Sequence, residues 1–235
     1  MLLPQNRVVM ITGANRGIGL ATAQALSSAG FRLSLGVRDV STLKSASFAN
    51  ETFSHQYDAL DKQSIEQWTQ KTLDHYGAID ALVLNAGVMV PVGIVEGSEE
   101  DLDLMWDVNF KGPLRVVRAT LDALKRSGHG RVVNVVSLSG KRVMGADNLG
   151  YCASKFAALA LTHAIRQEGW DSGLRATAVC PGLVDTDMVS HVTAPDGQFK
   201  ITPEAIAATA AYALSLPNDA TVAEILVNSR LEHMM

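Results

Sequence analysis

Cysteine is scarce in this chain. Cys152 and Cys180 are the only two, and they form no CxxC pair. They offer no disulfide framework, and a reducing cytosol suits them. The six histidines are scattered, with no HExxH and no clustered Cys/His spacing, so no metal site is expected. An excess of one charge is also missing. A net charge of -4 gives no reason to expect nucleic acid or an anionic membrane as a partner. Apolar runs such as Ala81-Leu82-Val83-Leu84 fall far short of the ~20 residues that cross a bilayer. The opening Met1-Leu2-Leu3-Pro4-Gln5-Asn6-Arg7 has no charged segment followed by a long apolar one, so no signal peptide is read and a cytoplasmic location is expected. No Pro/Gly-rich linker, repeat or low-complexity tract divides the 235 residues, and one domain over 1–235 with a sizeable core is expected.

What the chain does contain is a regular alternation. Residues 7–12 form a short continuous apolar run, as a strand buried on both faces requires. They lead directly into Thr12-Gly13-Ala14-Asn15-Arg16-Gly17-Ile18-Gly19 and a helical stretch over 20–29. Strand, glycine turn and helix in that order is the context of a dinucleotide site. Glycines let the backbone approach a pyrophosphate, and the helix N-terminus offers it unpaired N–H groups. The spacing is GxxxGxG, and taken alone such a turn can be purely structural. Further strands are read over 31–37, 53–57, 79–84, 131–136, 175–179 and 224–227. Helices are read over 64–76, over 99–126 with Ser98 as N-cap, from about Gly150, and from Pro203. This is the pattern of a Rossmann-type α/β fold, a doubly wound parallel sheet of about seven strands with helices on both faces. Ligands of such sheets bind beyond the carboxyl ends of the strands, where the glycine turn, Arg38, Asp58, Asn85, Ser137 and Pro181 all fall.

Tyr151 and Lys155 stand four apart at the start of one helical stretch, so they share a face. A tyrosine pKa of about 10 makes it a poor acid or base near neutrality, and a neighbouring ammonium is expected to lower it. Alone, the pair reads more readily as a solvated lysine beside a half-buried tyrosine than as a catalytic couple.

Taken together, the segments resemble the short-chain dehydrogenase/reductase family in its single-domain subgroup. The likeness runs from Arg7 to about Val227. It rests on Thr12-Gly13-xxx-Gly17-x-Gly19, Asn85-Ala86-Gly87, Asn109, Ser137, Tyr151-xxx-Lys155 and Pro181-Gly182, in that order. The resemblance implies Tyr151 as general acid/base and Lys155 as the group that lowers its pKa and holds the nicotinamide ribose. It implies Ser137 as the carbonyl-polarising hydroxyl and Asn109 as the organiser of a relay water. Cofactor contacts would come from Gly13, Asn15, Arg16, Gly17, Ile18, Gly19, Arg38, Asp58, Asn85, Ala86, Gly87, Pro181, Gly182, Val184 and Thr186. Ser139 competes with Ser137 for the serine role; Ser137 is preferred because it ends a strand and precedes x-x-Gly140. The lid region 188–200 is short, and the tail lacks the glycine-rich ending of many relatives.

The cofactor is expected to be NADP(H). An NAD site of this kind places an acidic residue at the end of the second strand, and Val37 stands there. Arg38 and Arg16 suit a phosphate instead, with Asp39 reserved for capping the next helix. The expected reaction interconverts a small carbonyl compound and its alcohol in a homodimer or homotetramer. Val143, Met144, Leu149, Leu183 and Met188 hint at an apolar substrate pocket, or are ordinary packing. A non-catalytic NADP-binding sensor on the same fold is the alternative.

Overall fold

The computed structural model describes residues 1–193 and 199–231. Parts of the lid and tail read above, 194–198 and 232–235, lie outside the described residues. Seven strands form one sheet: β1 (Val8–Thr12), β2 (Arg32–Val37), β3 (Thr52–Gln56), β4 (Ala81–Leu84), β5 (Arg131–Val135), β6 (Arg175–Pro181) and β7 (Glu224–Val227). All are parallel, in the order β3-β2-β1-β4-β5-β6-β7. The order reverses between β1 and β4, and that switch point opens a cleft outside the carboxyl ends of the two strands.

Alternate residues of the central strands feed two apolar layers. Val9, Ile11, Leu33, Leu35 and Val133 pack with Leu26 of α1 (Gly17–Ala29) and Ile206 and Ala210 of α6 (Pro203–Ser215). Met10, Leu82, Leu84 and Val132 pack on the other face, with Trp68 of α2 (Lys62–Tyr76), Val116 of α4 (Gly112–Arg126) and Leu161 of α5 (Leu149–Gly169). Burial on both faces is why these strands read as unbroken apolar runs rather than alternating ones.

The caps follow the residues expected of them. Ser98 accepts from the Asp101 N–H at the start of α3 (Glu99–Trp106), and Thr202 accepts from the Ala205 N–H at the start of α6. The helix read as continuous over 99–126 is not one helix. A π turn over Asp107–Lys111 separates α3 from α4. Pro113 gives the reason, since it has no N–H to return to the carbonyl of Asn109 four residues back and its ring crowds that carbonyl. The wider turn, with Gly112 bonding back five residues to the Asp107 carbonyl, accommodates the break. Other element ends shift by one to three residues, as fraying ends do.

Candidate active site

The glycine turn joins β1 to α1. Gly17 has φ +53, a left-handed conformation that other residues rarely adopt. At Gly19 the reason is space: a Cβ there would lie 2.2 Å from the Gly13 carbonyl oxygen and 2.5 Å from Asn85 Nδ2. The first turn of α1 has no capping side chain and no acidic residue, so its leading N–H groups are left for an anion. Thr12 and Asn85 fix this turn to β4. The Thr12 hydroxyl accepts from the N–H groups of Asn85 at 2.8 Å and Ala86 at 3.0 Å. The Asn85 amide donates to the carbonyls of Thr12 and Gly13, both at 3.1 Å. Asn85 therefore shapes the groove through hydrogen bonds within the chain. Thr12 was named in the motif but given no role, and its hydroxyl is what locks the two strand ends together.

At the end of β2, Val37 is buried and Arg38 is exposed. Among the described residues Arg38 has neither a hydrogen bond nor an ion pair. Asp39 is taken up as a cap, its carboxylate accepting from the Ser41 N–H at 2.9 Å and the Ser41 hydroxyl at 2.8 Å. Arg16 is exposed beside the turn but is not free: Nη1 lies 3.3 Å from Asp187 Oδ2. Asp187 opens a single 3-10 turn, Asp187–Val189, just after Thr186. A Cβ on Gly17 would stand 3.1 Å from Thr186 Cγ2, so this segment leans over the glycine turn. Between them lies a cavity of about 250 Å³ lined by Gly17, Leu20, Asp185, Thr186, Asp187 and Glu204, among others.

Two further expected contacts also have work within the chain. Val184 turns its side chain into the core layer beneath α6 and pairs with Ile201, because the apolar side chain is better buried than exposed to a polar ligand. The Asp58 carboxylate accepts from the Leu60 N–H at 2.9 Å and shapes the turn before α2. Asn15 and Ile18 are half-buried in the glycine turn and the first turn of α1, Gly87 and Gly182 are half-buried just beyond β4 and β6, and Pro181 is buried as the last residue of β6. The glycine turn, the open α1 N-terminus and the free Arg38 fit a dinucleotide.

The second half of the site forms on β5 and α5. Ser137 follows β5 and caps the turn Leu138–Gly140 by accepting from the Ser139 N–H at 3.0 Å. The Tyr151 phenol meets the Ser137 hydroxyl, whereas Ser139 faces the Cys152 thiol. Of the two candidate serines, Ser137 is the one beside the phenol. Lys155 places Nζ 5.6 Å from the centre of the Tyr151 ring and donates to the Val135 carbonyl at 3.1 Å. The π turn aims Asn109 at the same place. Its amide holds Val88 by both main-chain groups at 2.9 Å and donates to Ser154 Oγ at 2.9 Å. A Cβ on Gly87 would touch both Asn109 Oδ1, at 3.2 Å, and Lys155 Nζ, at 3.7 Å. Ser154 had no assigned role; it bonds to Asn109 and to the Tyr151 carbonyl. Its place one residue before Lys155, on the inner face of the helix, was the available signal.

Electrostatics depart from the expectation that Lys155 lowers the tyrosine pKa. Burial pushes Tyr151 up to about 12, only partly offset by hydrogen bonding with Ser137. Burial also pulls Lys155 down to about 8, with the Cys180 thiol opposing. Desolvation dominates both groups. Among the described residues no group of three or more His, Cys, Asp or Glu side chains could hold a metal ion, and no helix is long and apolar enough to cross a membrane.

A switch-point cleft with a glycine turn lies beside a hydroxyl, a phenol and an amine, which sets a dinucleotide-type groove next to groups able to move a proton. The chain belongs to the short-chain dehydrogenase family, whose model matches residues 7–197. It is 37% identical over 225 residues to an agropine synthesis reductase of Rhizobium rhizogenes, covering 93% of this chain but 51% of that one. The chain thus spans about half the length of that relative. An uncharacterized oxidoreductase of Staphylococcus saprophyticus is 34% identical, with 95% of this chain and 97% of the other covered. Among solved structures, an alcohol dehydrogenase from the archaeon Thermococcus sibiricus complexed with 5-hydroxy-NADP matches with a TM-score of 0.88 and 34% identity over 97% of this chain and 99% of that one.

Proposed function

We propose that this chain is an NADP(H)-dependent oxidoreductase that interconverts a carbonyl compound and its alcohol, with Asn109, Ser137, Tyr151 and Lys155 as its proton-transfer system. The observation that carries the reading is the meeting of Ser137, Tyr151 and Lys155 at the β5 edge of the cleft, with the Lys155 amine 5.6 Å from the phenol ring. The dinucleotide, when bound, supplies or accepts the hydride. Reduction builds negative charge on the carbonyl oxygen, and two hydroxyls converging on one point stabilise it. A phenol with a pKa pushed up to about 12 keeps its proton at neutral pH and can hand it to that oxygen. Lys155 holds the ribose, and Asn109 keeps Val88 and Ser154 in place around it.

Preference for NADP(H) is supported by the free Arg38, by Arg16 beside the glycine turn, and by Asp39 being committed to its own cap. The 5-hydroxy-NADP held by the Thermococcus relative points the same way. Val88, Met89 and Val90 pack against the Tyr151 cluster, which favours a small uncharged substrate.

The test is NADPH consumption over a panel of carbonyl compounds that includes benzaldehyde and diacetyl. Tyr151→Phe should lower kcat by about a hundredfold or more while leaving NADPH affinity nearly unchanged. Arg16→Ala with Arg38→Ala should raise the NADPH KM and leave NADH little affected. Near-normal turnover by Tyr151→Phe would reject the mechanism, and a wild-type preference for NADH would reject the cofactor. Absence of turnover on any carbonyl, with NADPH still bound, would favour a sensor.

A further inference from the structure

Outside the reacting groups, one side chain touches both elements that carry them. Glu224 is the first residue of β7, the edge strand next to β6. Its Oε2 accepts from Lys141 Nζ at 2.7 Å, and its Oε1 lies 3.1 Å from His163 Nε2. Lys141 closes the turn that starts at Ser137. His163 belongs to α5, the helix of Tyr151 and Lys155. One carboxylate thus spans from the serine turn to the tyrosine helix.

The pairing is sheltered, with the Lys141 and Glu224 side chains 28% and 21% exposed. Burial opposes ionisation of Glu224, but bonding to Lys141 and then His163 outweighs it and holds the carboxyl below its ordinary pKa. Beneath the pair lies a small apolar layer of Val136, Leu138, Ala158, Leu159, Ala178 and Cys180. Cys180 continues the connection: its sulfur takes the Ser137 N–H and senses Glu224, Lys141 and Lys155. β7 pairs Glu224 with Ala178 and Leu226 with Cys180, so the carboxylate lies in register with this layer.

We propose that Glu224 is a positioning residue, whose two-pronged pairing with Lys141 and His163 sets the distance between Ser137 and the Tyr151–Lys155 pair. The proposal rests on the reading of those three residues given above. Two plainer roles exist for such a glutamate. A charge on an edge strand discourages pairing with other chains, and a partly exposed ion pair adds a little stability. Both predict changes in solubility or melting, not in proton transfer. The glycine turn and the β4 end take no part in this network, and Lys155 has its own anchor in the Val135 carbonyl, so the serine turn is what should shift and cofactor affinity should not follow it.

The experiment uses the full chain with NADPH and the best probe of the carbonyl panel. Glu224→Gln and, separately, Lys141→Met should each lower kcat about ten- to a hundredfold, the scale of an ångström's misplacement. NADPH Kd should stay within about twofold, since the glycine turn and the Lys155 bond to the Val135 carbonyl are untouched. The alkaline limb of the turnover profile should move to higher pH, because hydrogen bonding with Ser137 is what lowers the Tyr151 pKa. In a Ser137→Ala background Glu224→Gln should cost nothing more. An unchanged kcat, a Kd that rises in step with the loss of kcat, or a further full loss in the Ser137→Ala background would overturn the proposal. If Ser137→Ala itself leaves turnover intact, the underlying site reading fails instead. Lys141→Met keeps the test open should Glu224→Gln not fold.

Discussion

Lys155 keeps its amine in a dry place, with one main-chain carbonyl at 3.1 Å as acceptor. Its pKa is pulled from 10.5 to about 8 in the fold. Between those values the unfolded chain binds a proton that the native one has released, so this group makes stability rise with pH there. The cofactor-free protein should therefore gain stability relative to Lys155→Met as pH climbs from about 8 towards 10. Thermal melts of both proteins across that range check this, and parallel curves would count against the shifted lysine. Tyr151 works in the opposite sense: with its pKa raised to about 12, it removes stability above pH 10. The Tyr–Lys pair was legible because helical spacing alone puts residues four apart on one face. The sign of the tyrosine shift was not, because spacing says which groups are near each other and nothing about how much water surrounds them.

The glycine turn and the π turn differ in how openly the sequence declares them. GxxxGxG after an apolar strand announces a tight backbone, and the 2.2 Å that a Gly19 Cβ would leave to the Gly13 carbonyl shows how tight. Gly19→Ala should push that turn off Asn85 and lower dinucleotide affinity about tenfold or more, since misplacement by an ångström is costly. The melting temperature should fall by a few degrees, about what 1 kcal/mol does in a chain of this size. Titration of NADPH fluorescence measures the first, and an unaltered Kd would mean the turn tolerates a side chain. The π turn was hidden by the strong helical periodicity on either side of it. Gly112-Pro113 was its signal, since a proline inside a helical pattern must unsettle the bond four residues back. Both aspartates at strand ends serve local turns, which short polar side chains do readily; the cap made by Asp39 was legible, while the turn that Asp58 also shapes was not.

On the scale of the whole molecule, the five inner strands were legible because strands buried on both faces show as apolar bursts, and the half-buried edge strands β3 and β7 were placed by the same alternation with helices. What covers the outside was not. Ala153, Phe156, Ala160 and Ala164 are all exposed on one face of α5, and Phe156 is 43% exposed. We propose that its occupant is a second copy of this chain, packed by a twofold axis against the same face. Phe156→Glu should then halve the mass seen by light scattering while leaving the melting temperature nearly unchanged. A monomeric wild type, or a variant of unchanged mass, would place the contact elsewhere.

The Arg16–Asp187 bridge has a consequence for how an anion enters the cleft. The arginine at its mouth already holds a carboxylate, 3.3 Å away. On the NADP(H) reading, the incoming phosphate finds Arg38 open, but at Arg16 it must trade places with an aspartate. Entry is a displacement, and salt acts on both sides of it. Raising ionic strength shortens the Debye length to about 8 Å at physiological salt, weakening the phosphate's pull and the aspartate's hold together. NADPH affinity should therefore fall only gently as salt is added to the wild type, and more steeply in Asp187→Asn, which should also bind more tightly at low salt. Parallel slopes for the two proteins would mean that phosphate and aspartate never compete for the same guanidinium.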